Sequence, residues 1–247
     1  MSDAPPMLPF ALLAGGLGTR LGELTRSSPK ALIPVAGEPF IAHQLRLLES
    51  KGVRKVVLCT GHRATPIQDF VGDGSRFGVH VTYSLDGPQL LGTGGALRKA
   101  LPFLGESFAV LYGDSYLDTD YAAVVTAFQK SARPALMTVF RNEDRWDKSN
   151  ALFKDGIVAR YDKRQPTPEM AYIDYGLNFL RADTLKGRSP SEPFDIADVF
   201  TELAARGDLS GFEVTERFYE IGSPEGLAET EAFLGRTGHG LASRTAE

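Results

Sequence analysis

The stretch from Leu8 to Pro39 constrains this chain more than any other. An apolar run, Leu8 to Ala14, has the character of a buried first strand and empties into Gly15-Gly16-Leu17-Gly18-Thr19-Arg20. Glycines let the backbone approach a bound anion closely, and their N–H groups can converge into an anion-binding nest. Arg20 adds a cation with a bidentate fork. Ten residues on, Pro29-Lys30 supplies a second cation from a rigid turn. The bland reading is a tight strand-to-helix turn with a solvated Arg. A strand, a glycine turn, an Arg and a Pro-Lys in this order point instead to a phosphate site.

Two common phosphate motifs do not fit. G-x-x-x-x-G-K-[ST] is absent after the first strand, which argues against a P-loop kinase or ATPase. A dinucleotide-binding turn needs G-x-G-x-x-G, but Leu21 stands where the third glycine would permit close helix–strand packing. The string does match G-G-x-G-T-R-L, then L-T, P-K, a proline and G-x-P. Here these are Gly15, Gly16, Gly18 to Leu21, Leu24-Thr25, Pro29-Lys30, Pro34 and Gly37-Glu38-Pro39. The chain therefore resembles the sugar-1-phosphate nucleotidyltransferases along nearly its whole length. It looks closest to short, single-domain members such as the heptose-1-phosphate guanylyltransferases and the N-acetylmuramate-1-phosphate uridylyltransferases.

Composition narrows the partners. The 247 residues, 43% hydrophobic and 23% charged, suit a globular domain with one large core. A net charge of −4 argues against nucleic acid or an anionic membrane as partner. There is a single cysteine, Cys59, inside the apolar run Val56-Val57-Leu58, which reads as an inert core residue. No apolar segment is long enough to span a membrane, and no signal peptide is visible, so a cytoplasmic location is expected. His43, His62, His80 and His239 lack metal-ligand spacing.

Alternating patterns predict strands at Pro9–Ala14, Val53–Thr60, Val79–Tyr83, Ser107–Tyr112 and Ala135–Arg141. Helices are predicted between them at Pro39–Ser50, Ala64–Val71, Gly94–Leu101 and Tyr121–Lys130. Beyond Asn142 the rhythm changes. Strands at Ala151–Phe153, Ile157–Tyr161 and Ile173–Leu180 lie closer together and precede helices near Ile196–Ala205 and Pro224–Leu234. This is an α/β chain, expected to form a three-layer α/β/α Rossmann-like fold with a mixed, mostly parallel central sheet. Residues 1–234 are read as one domain, with a nucleotide half at about 8–141 and a sugar-phosphate half at about 142–234. Residues 235–247 are read as a flexible tail.

Further segments carry chemistry. Gln89 to Leu97 precedes a helix, and its glycines can admit a flat base against the backbone. The Thr93 hydroxyl, the Gln89 amide and open helix N–H groups can read the base edge, while a plain helix cap by Thr93 is the alternative. The strand Phe108 to Tyr112 ends in Gly113-Asp114, and an acid there sits where α/β sheets bind ligands; a helix cap is again the alternative. Asp120 reads as the cap of the following helix. Glu220 precedes Gly222-Ser223-Pro224, a helix start that favours an acid through the dipole. Lys163 and Arg164 can be a solvated basic turn.

The resemblance implies more specific roles. Leu13, Ala14, Gly15, Gly16, Gly18, Thr19, Arg20 and Lys30 would bind nucleotide phosphates, with Arg20 and Lys30 catalytic. Gln89, Gly92, Thr93 and Gly94 would line the base pocket. Asp114 would hold Mg²⁺, or Mn²⁺, with Glu220 standing where relatives carry an Asp. Gly113, Asn150, Asp162, Lys163, Asp174 and Gly176 would bind the sugar 1-phosphate, with Asp174 where relatives often carry Asn. The implied partners are a nucleoside triphosphate and a sugar 1-phosphate, with the protein a monomer or homodimer. The sugar phosphate oxygen attacks the α-phosphorus and pyrophosphate leaves, so alignment and charge neutralisation suffice without a general base. GTP with D-glycero-D-manno-heptose 1-phosphate or mannose 1-phosphate is the favoured pair. A UTP-dependent uridylyltransferase is second, since Gly72 to Tyr83 also resembles the muramate enzymes. A non-catalytic nucleotide-sugar-binding regulator is the rival from another class.

Overall fold

Strict alternation of apolar side chains along the strands builds two cores rather than one. Phe10 and Leu12 face one core, together with Val56, Leu58, Ala109 and Leu111. Ala11, Val57, Cys59, Phe108 and Val110 face the other. A strand points successive side chains to opposite faces, so strands that are apolar throughout demand a helical layer on each side. The computed structural model, which describes residues 6–16, 21–22, 25, 28–61 and 63–236, has this arrangement.

In chain order the strands begin with β1 (Phe10–Leu13), β2 (Pro34–Val35), β3 (Glu38–Pro39), β4 (Lys55–Thr60), β5 (His80–Leu85) and β6 (Ser107–Tyr112). They continue with β7 (Ser115–Tyr116), β8 (Ala135–Arg141), β9 (Ala151–Lys154), β10 (Ile157–Tyr161), β11 (Tyr172–Arg181), β12 (Leu209–Val214) and β13 (Tyr219–Glu220). The described helices are α1 (Phe40–Ser50), α2 (Ala64–Val71), α3 (Gly92–Leu104), α4 (Tyr121–Lys130), α5 (Asp183–Lys186), α6 (Ile196–Ala205) and α7 (Pro224–Arg236). The central sheet has nine strands in the order β5-β4-β1-β6-β11-β8-β12-β10-β9. From β5 to β6 the ladders are parallel. Antiparallel β11 separates β6 from β8, and β12 returns parallel to β8. Thus the mixed α/β/α sheet is present, with its continuous parallel block in the N-terminal half.

Helices α1, α2 and α4 supply Ile41, Leu45, Ile67, Val71, Val124 and Phe128 to the first core. Helices α3 and α6 supply Leu97, Leu104, Ile196 and Phe200 to the second. A smaller cluster of Val35, Phe40, Tyr116, Ile221 and Leu234 fastens α7 to the rest. Asp120 caps α4, its Oδ1 accepting from the Ala123 N–H at 3.0 Å, as its position in the sequence suggested.

Most element boundaries lie within two residues of the sequence reading, and larger differences also occur. Helix α3 begins at Gly92 and runs past Pro102 to Leu104. Helix α7 reaches Arg236, so Gly235 and Arg236 belong to it and not to the tail; residues 237–247 lie outside the described residues. The short strands β2, β3, β7 and β13, helix α5 and strand β12 were not expected, and the one of these in the central sheet is β12. Its Leu-Ser-Gly-Phe-Glu-Val carries a glycine in mid-strand, which reads as a break. Here Gly211 lies under the Phe153 ring, and a Cβ on it would stand 2.5 Å from that ring.

Candidate active site

The chain steps outward from β1 to β4 to β5, then returns across β1 to β6. This puts a topological switch point at the carboxyl ends of β1 and β6, where open α/β sheets bind ligands. A cavity of about 370 Å³ opens there, and the Ala14–Gly16 turn, Lys30, Asp86, Thr93 and the Tyr112–Asp114 turn line it. Gly113 makes the two strand ends converge. Its N–H donates to the Leu13 carbonyl at 3.0 Å, and a Cβ on it would stand 2.5 Å from that oxygen.

Lys30 and Asp114 meet on the cavity wall, with Nζ 2.7 Å from Oδ2. Their side chains are 12% and 33% exposed, so this pair is far from a fully hydrated surface contact. Pro29 sets up the short 3-10 turn Lys30–Leu32 that aims the lysine. The strand-end turn bearing Asp114 is held from α1: Gln44 Nε2 donates to the carbonyls of Tyr112 at 3.0 Å and Ser115 at 2.8 Å. Asp114 is therefore not a helix cap. Sequence reasoning missed Gln44; a glutamine amid the apolar face of α1 was the available signal.

The Gly92-Thr93-Gly94 segment lines this cavity through Gly92 and Thr93, but its polar groups are engaged differently from expectation. Thr93 Oγ1 donates to Asp195 Oδ1 at 2.7 Å and accepts from the Ile196 N–H at 2.9 Å. The Gly94 and Gly95 N–H groups both donate to the Phe194 carbonyl, so they are not open to a base. The glycines serve close packing here. A Cβ on Gly92 would lie 2.6 Å from the Phe194 carbonyl oxygen, and one on Gly94 2.2 Å from its ring. Gln89 is exposed and does not line the cavity. Asp86, which the sequence reading passed over, does. It is buried, and its Oδ2 accepts from the Leu91 N–H at 3.2 Å. Burial and then the Asp86 charge push the neighbouring Cys59 thiol up to about 12, so it stays protonated, as an inert core cysteine should.

The later half gathers its own polar cluster. Asn150 accepts from the Asp174 N–H at 3.0 Å through Oδ1, and its backbone carbonyl accepts from the Asp162 N–H at 2.9 Å. Asp174 Oδ1 accepts from the Gly176 N–H at 2.9 Å and Asn178 Nδ2 at 3.0 Å. Gly176 has φ +101° at an irregularity of β11 and packs against the Tyr112 ring. Asp162 Oδ1 accepts from the N–H groups of Gln165 and Arg164, which hold its carboxyl below the usual range. Lys163 is exposed, with Nζ 5.2 Å from the centre of the Tyr112 ring and no carboxylate paired to it among the described residues. Tyr112 also lines the cavity, so this ammonium stands near it.

Glu220 lies beside Asp114: it pairs with Ser115 across β7 and β13, and Ile221 N–H donates to the Asp114 carbonyl at 2.9 Å. Its carboxylate, however, folds under the start of α7. It accepts from the Gly222 N–H and, at 2.8 Å, from Ser223 Oγ. No group of three potential metal-binding side chains occurs among the described residues. A hard cation that completes its shell with substrate phosphates and water needs only one or two carboxylates. Asp114, an oxygen donor open to the cavity, fits that requirement.

Gly18, Thr19 and Arg20 lie outside the described residues. The structure brings together Leu13 to Gly16, Lys30, Gly92, Thr93, Gly113 and Asp114, with Lys163 nearby.

Known proteins resemble this chain in sequence and fold. The sequence model of the family described as Nucleotidyl transferase matches residues 11–236. The chain is 38% identical over 231 residues to an N-acetylmuramate alpha-1-phosphate uridylyltransferase of Neisseria meningitidis, covering 91% of this chain and 97% of that one. It is 25% identical over 214 residues to a D-glycero-alpha-D-manno-heptose 1-phosphate guanylyltransferase of Campylobacter jejuni, covering 87% and 94%. Among solved structures, HddC from Yersinia pseudotuberculosis complexed with GMP-PN superposes with a TM-score of 0.78 at 25% identity, covering 92% of this chain and 100% of that one. The inositol-1-phosphate CTP transferase from T. maritima shares the fold, with a TM-score of 0.78 at 20% identity and coverage of 97% and 99%.

Proposed function

The chain belongs to the nucleotidyl transferase family, and from that premise we propose that it joins GTP to a heptose or mannose 1-phosphate, giving the GDP-sugar and pyrophosphate. Sugar-1-phosphate nucleotidyl transfer is the activity its relatives share. The observation that carries the reading is one cavity at the sheet's switch point in which the glycine turn, Lys30 and Asp114 meet.

Lys163 receives the sugar 1-phosphate and directs one of its oxygens at the α-phosphorus. The nucleophile is already anionic, so no residue need remove a proton. The Gly15 and Gly16 backbone admits the phosphate chain closely, and Arg20 and Lys30 balance its charge as the α-phosphorus gains one oxygen and loses another. Asp114 is the carboxylate that holds Mg²⁺, with Glu220 tying down the turn beside it. When bound, the cation neutralises phosphate charge. Asn150 and the Asp174–Gly176 bend shape the sugar side.

For the base, the guanine reading is supported by the heptose 1-phosphate guanylyltransferase that matches 87% of this chain and by the superposition on HddC complexed with GMP-PN. One observation supports the uridylyl alternative: the 38% identical relative is a uridylyltransferase. Pyrophosphate release from each of the four NTPs, paired with a panel of sugar 1-phosphates, tests both. Release with GTP and a heptose or mannose 1-phosphate supports the proposal. Release with UTP and a muramic or hexosamine 1-phosphate replaces it. No release with any pair leaves a non-catalytic binding protein.

A further inference from the structure

Lys30 and Lys163 are held in different ways. Lys30 is paired with the Asp114 carboxylate at 2.7 Å. The Lys163 ammonium stands over an aromatic face, with Nζ 5.2 Å from the centre of the Tyr112 ring. An ammonium at that range is attracted by the negative face of the π-system. The difference matters to an incoming anion. A carboxylate occupies lysine N–H donors and must be displaced before a phosphate can take them. A ring face holds the charge without a lone pair, so it leaves the N–H donors to phosphate oxygens.

The backbone on either side of this contact is fixed. Asp162 Oδ1 accepts from the N–H groups of Arg164 at 2.9 Å and Gln165 at 2.8 Å, and the Asp162 N–H donates to the Asn150 carbonyl at 2.9 Å. The turn that carries Lys163 is therefore set. A flexible stem separates that turn from the ammonium, and the stem alone does not define where the charge rests. Tyr112 supplies the constraint. It ends β6, pairs with Leu13 of β1, and its carbonyl accepts from Gln44 Nε2 at 3.0 Å. Its ring packs close to Gly176, where a Cβ would stand 3.3 Å from Cδ2, and it lines the cavity beside Gly113 and Asp114.

The Tyr112 hydroxyl gives no reason for a tyrosine here. It is buried and has no hydrogen-bond partner among the described residues. Burial, and then the charges of Asp174, Asp195 and Asp114, push its pKa far up, so the phenol stays neutral. What Tyr112 offers to another functional group is its ring. We propose that Tyr112 is a positioning residue whose ring holds the Lys163 ammonium beside the cavity, where it meets the phosphate of the sugar 1-phosphate. This rests on the nucleotidyl-transfer reading above, whichever base and sugar are used.

The test measures KM for the sugar 1-phosphate and for the NTP, with the best pair from the substrate panel. Tyr112→Leu deletes the ring face. It should raise the KM for sugar 1-phosphate about two- to fivefold, the range for an ammonium over an exposed ring, and leave the KM for NTP unchanged. Tyr112→Phe keeps the ring and should recover most of the loss. A double-mutant cycle with Lys163→Met separates positioning from packing. If the ring acts through Lys163, Tyr112→Leu should cost nothing further once the ammonium is gone. If it acts by packing on Gly176 or by touching the sugar itself, the two losses multiply and the assignment falls. An unmoved KM for sugar 1-phosphate, equal rises in both constants, or a loss that Tyr112→Phe does not recover also overturns it. Should Tyr112→Leu fail to fold, Tyr112→Met deletes the ring in its place. Failure of the transfer reading looks different, because then no pair turns over. Calorimetric titration with mannose 1-phosphate decides in that case. Binding that Tyr112→Leu weakens and Tyr112→Phe restores supports the assignment; no binding, or equal binding by all three proteins, rejects it.

Discussion

Lys30 Nζ lies 2.7 Å from Asp114 Oδ2, so the cation proposed to face a phosphate is paired with the carboxylate proposed to hold a metal. On that reading both change partners when a nucleotide and its cation bind. Lys30→Met should lower kcat by roughly 10²-fold, the usual loss when one group facing developing charge is removed. It should also tighten Mn²⁺ binding to nucleotide-free protein, because Asp114 loses its competing cation. Electron paramagnetic resonance of free Mn²⁺ measures the second effect. Weaker Mn²⁺ binding in the variant would mean that Asp114 is not the metal carboxylate.

Gly113→Ala and Gly16→Ala should part company. A Cβ at Gly113 would stand 2.5 Å from the Leu13 carbonyl oxygen and 2.9 Å from Ala14 Cα, both backbone atoms that cannot rotate away. The ends of β1 and β6 must then separate, at a cost of about 1–3 kcal/mol, and the cavity between them distorts. At Gly16 nothing lies within 4 Å of the added carbon. Gly16→Ala should keep the wild-type melting temperature while weakening nucleotide binding, since the methyl group stands where a phosphate would approach. Thermal melts and nucleotide titrations of the two proteins separate these outcomes.

The contrast between those glycines shows what sequence conveys here. The apolar run before Gly15, the acid at the end of β6 and the Pro29-Lys30 turn are local patterns, and each landed on the cavity wall. Gly94 and Thr93 were read through the same local logic, which could not reveal that Phe194 and Asp195, about a hundred residues away, would take their N–H and hydroxyl groups. The Glu220 carboxylate likewise turns to its own helix start because Gly222 and Ser223 supply two donors within three residues. Gln44 and Asp86 gain their meaning only when α1 and the loop after β5 are folded onto the strand ends. Long-range packing, not motif, decides such side chains.

Asp195 should govern part of the acid limb of stability. Burial pushes its carboxyl up, but the Ala197 N–H, the Thr93 hydroxyl and the charges of Lys163 and Arg164 outweigh burial, and the net shift is downward. A depressed carboxyl contributes stability above its unfolded value, about 3.9, and that contribution is lost as pH falls through the lower folded value. Asp195→Asn should therefore melt below wild type at pH 6, with the gap closing as pH drops under about 4. A gap that stays constant across that window would show that the Asp195 charge does not matter to the Thr93 contact.

Lys163→Met should raise the KM for sugar 1-phosphate much more than the KM for NTP. The ammonium lies over the Tyr112 ring, and methionine keeps the apolar stem on that ring while deleting the charge. Loss of a contact to a doubly charged phosphate predicts a change of about tenfold or more. Steady-state kinetics with each substrate varied in turn gives the two constants. Equal changes in both would place Lys163 on the triphosphate instead.

Nucleotide choice is the sharpest test of the proposed reaction. A site that hydrogen-bonds one base leaves buried polar groups unpaired with another, so discrimination between bases should be substantial. One such unpaired group costs about 1–3 kcal/mol, which predicts, on the guanylyl reading, a GTP preference over UTP of at least about tenfold in kcat/KM. Steady-state kinetics with GTP and UTP, each against a heptose 1-phosphate and a muramic or hexosamine 1-phosphate, gives the ratio. If the wild type prefers UTP, the uridylyltransferase reading takes the place of the guanylyl one, in line with the 38% identical relative.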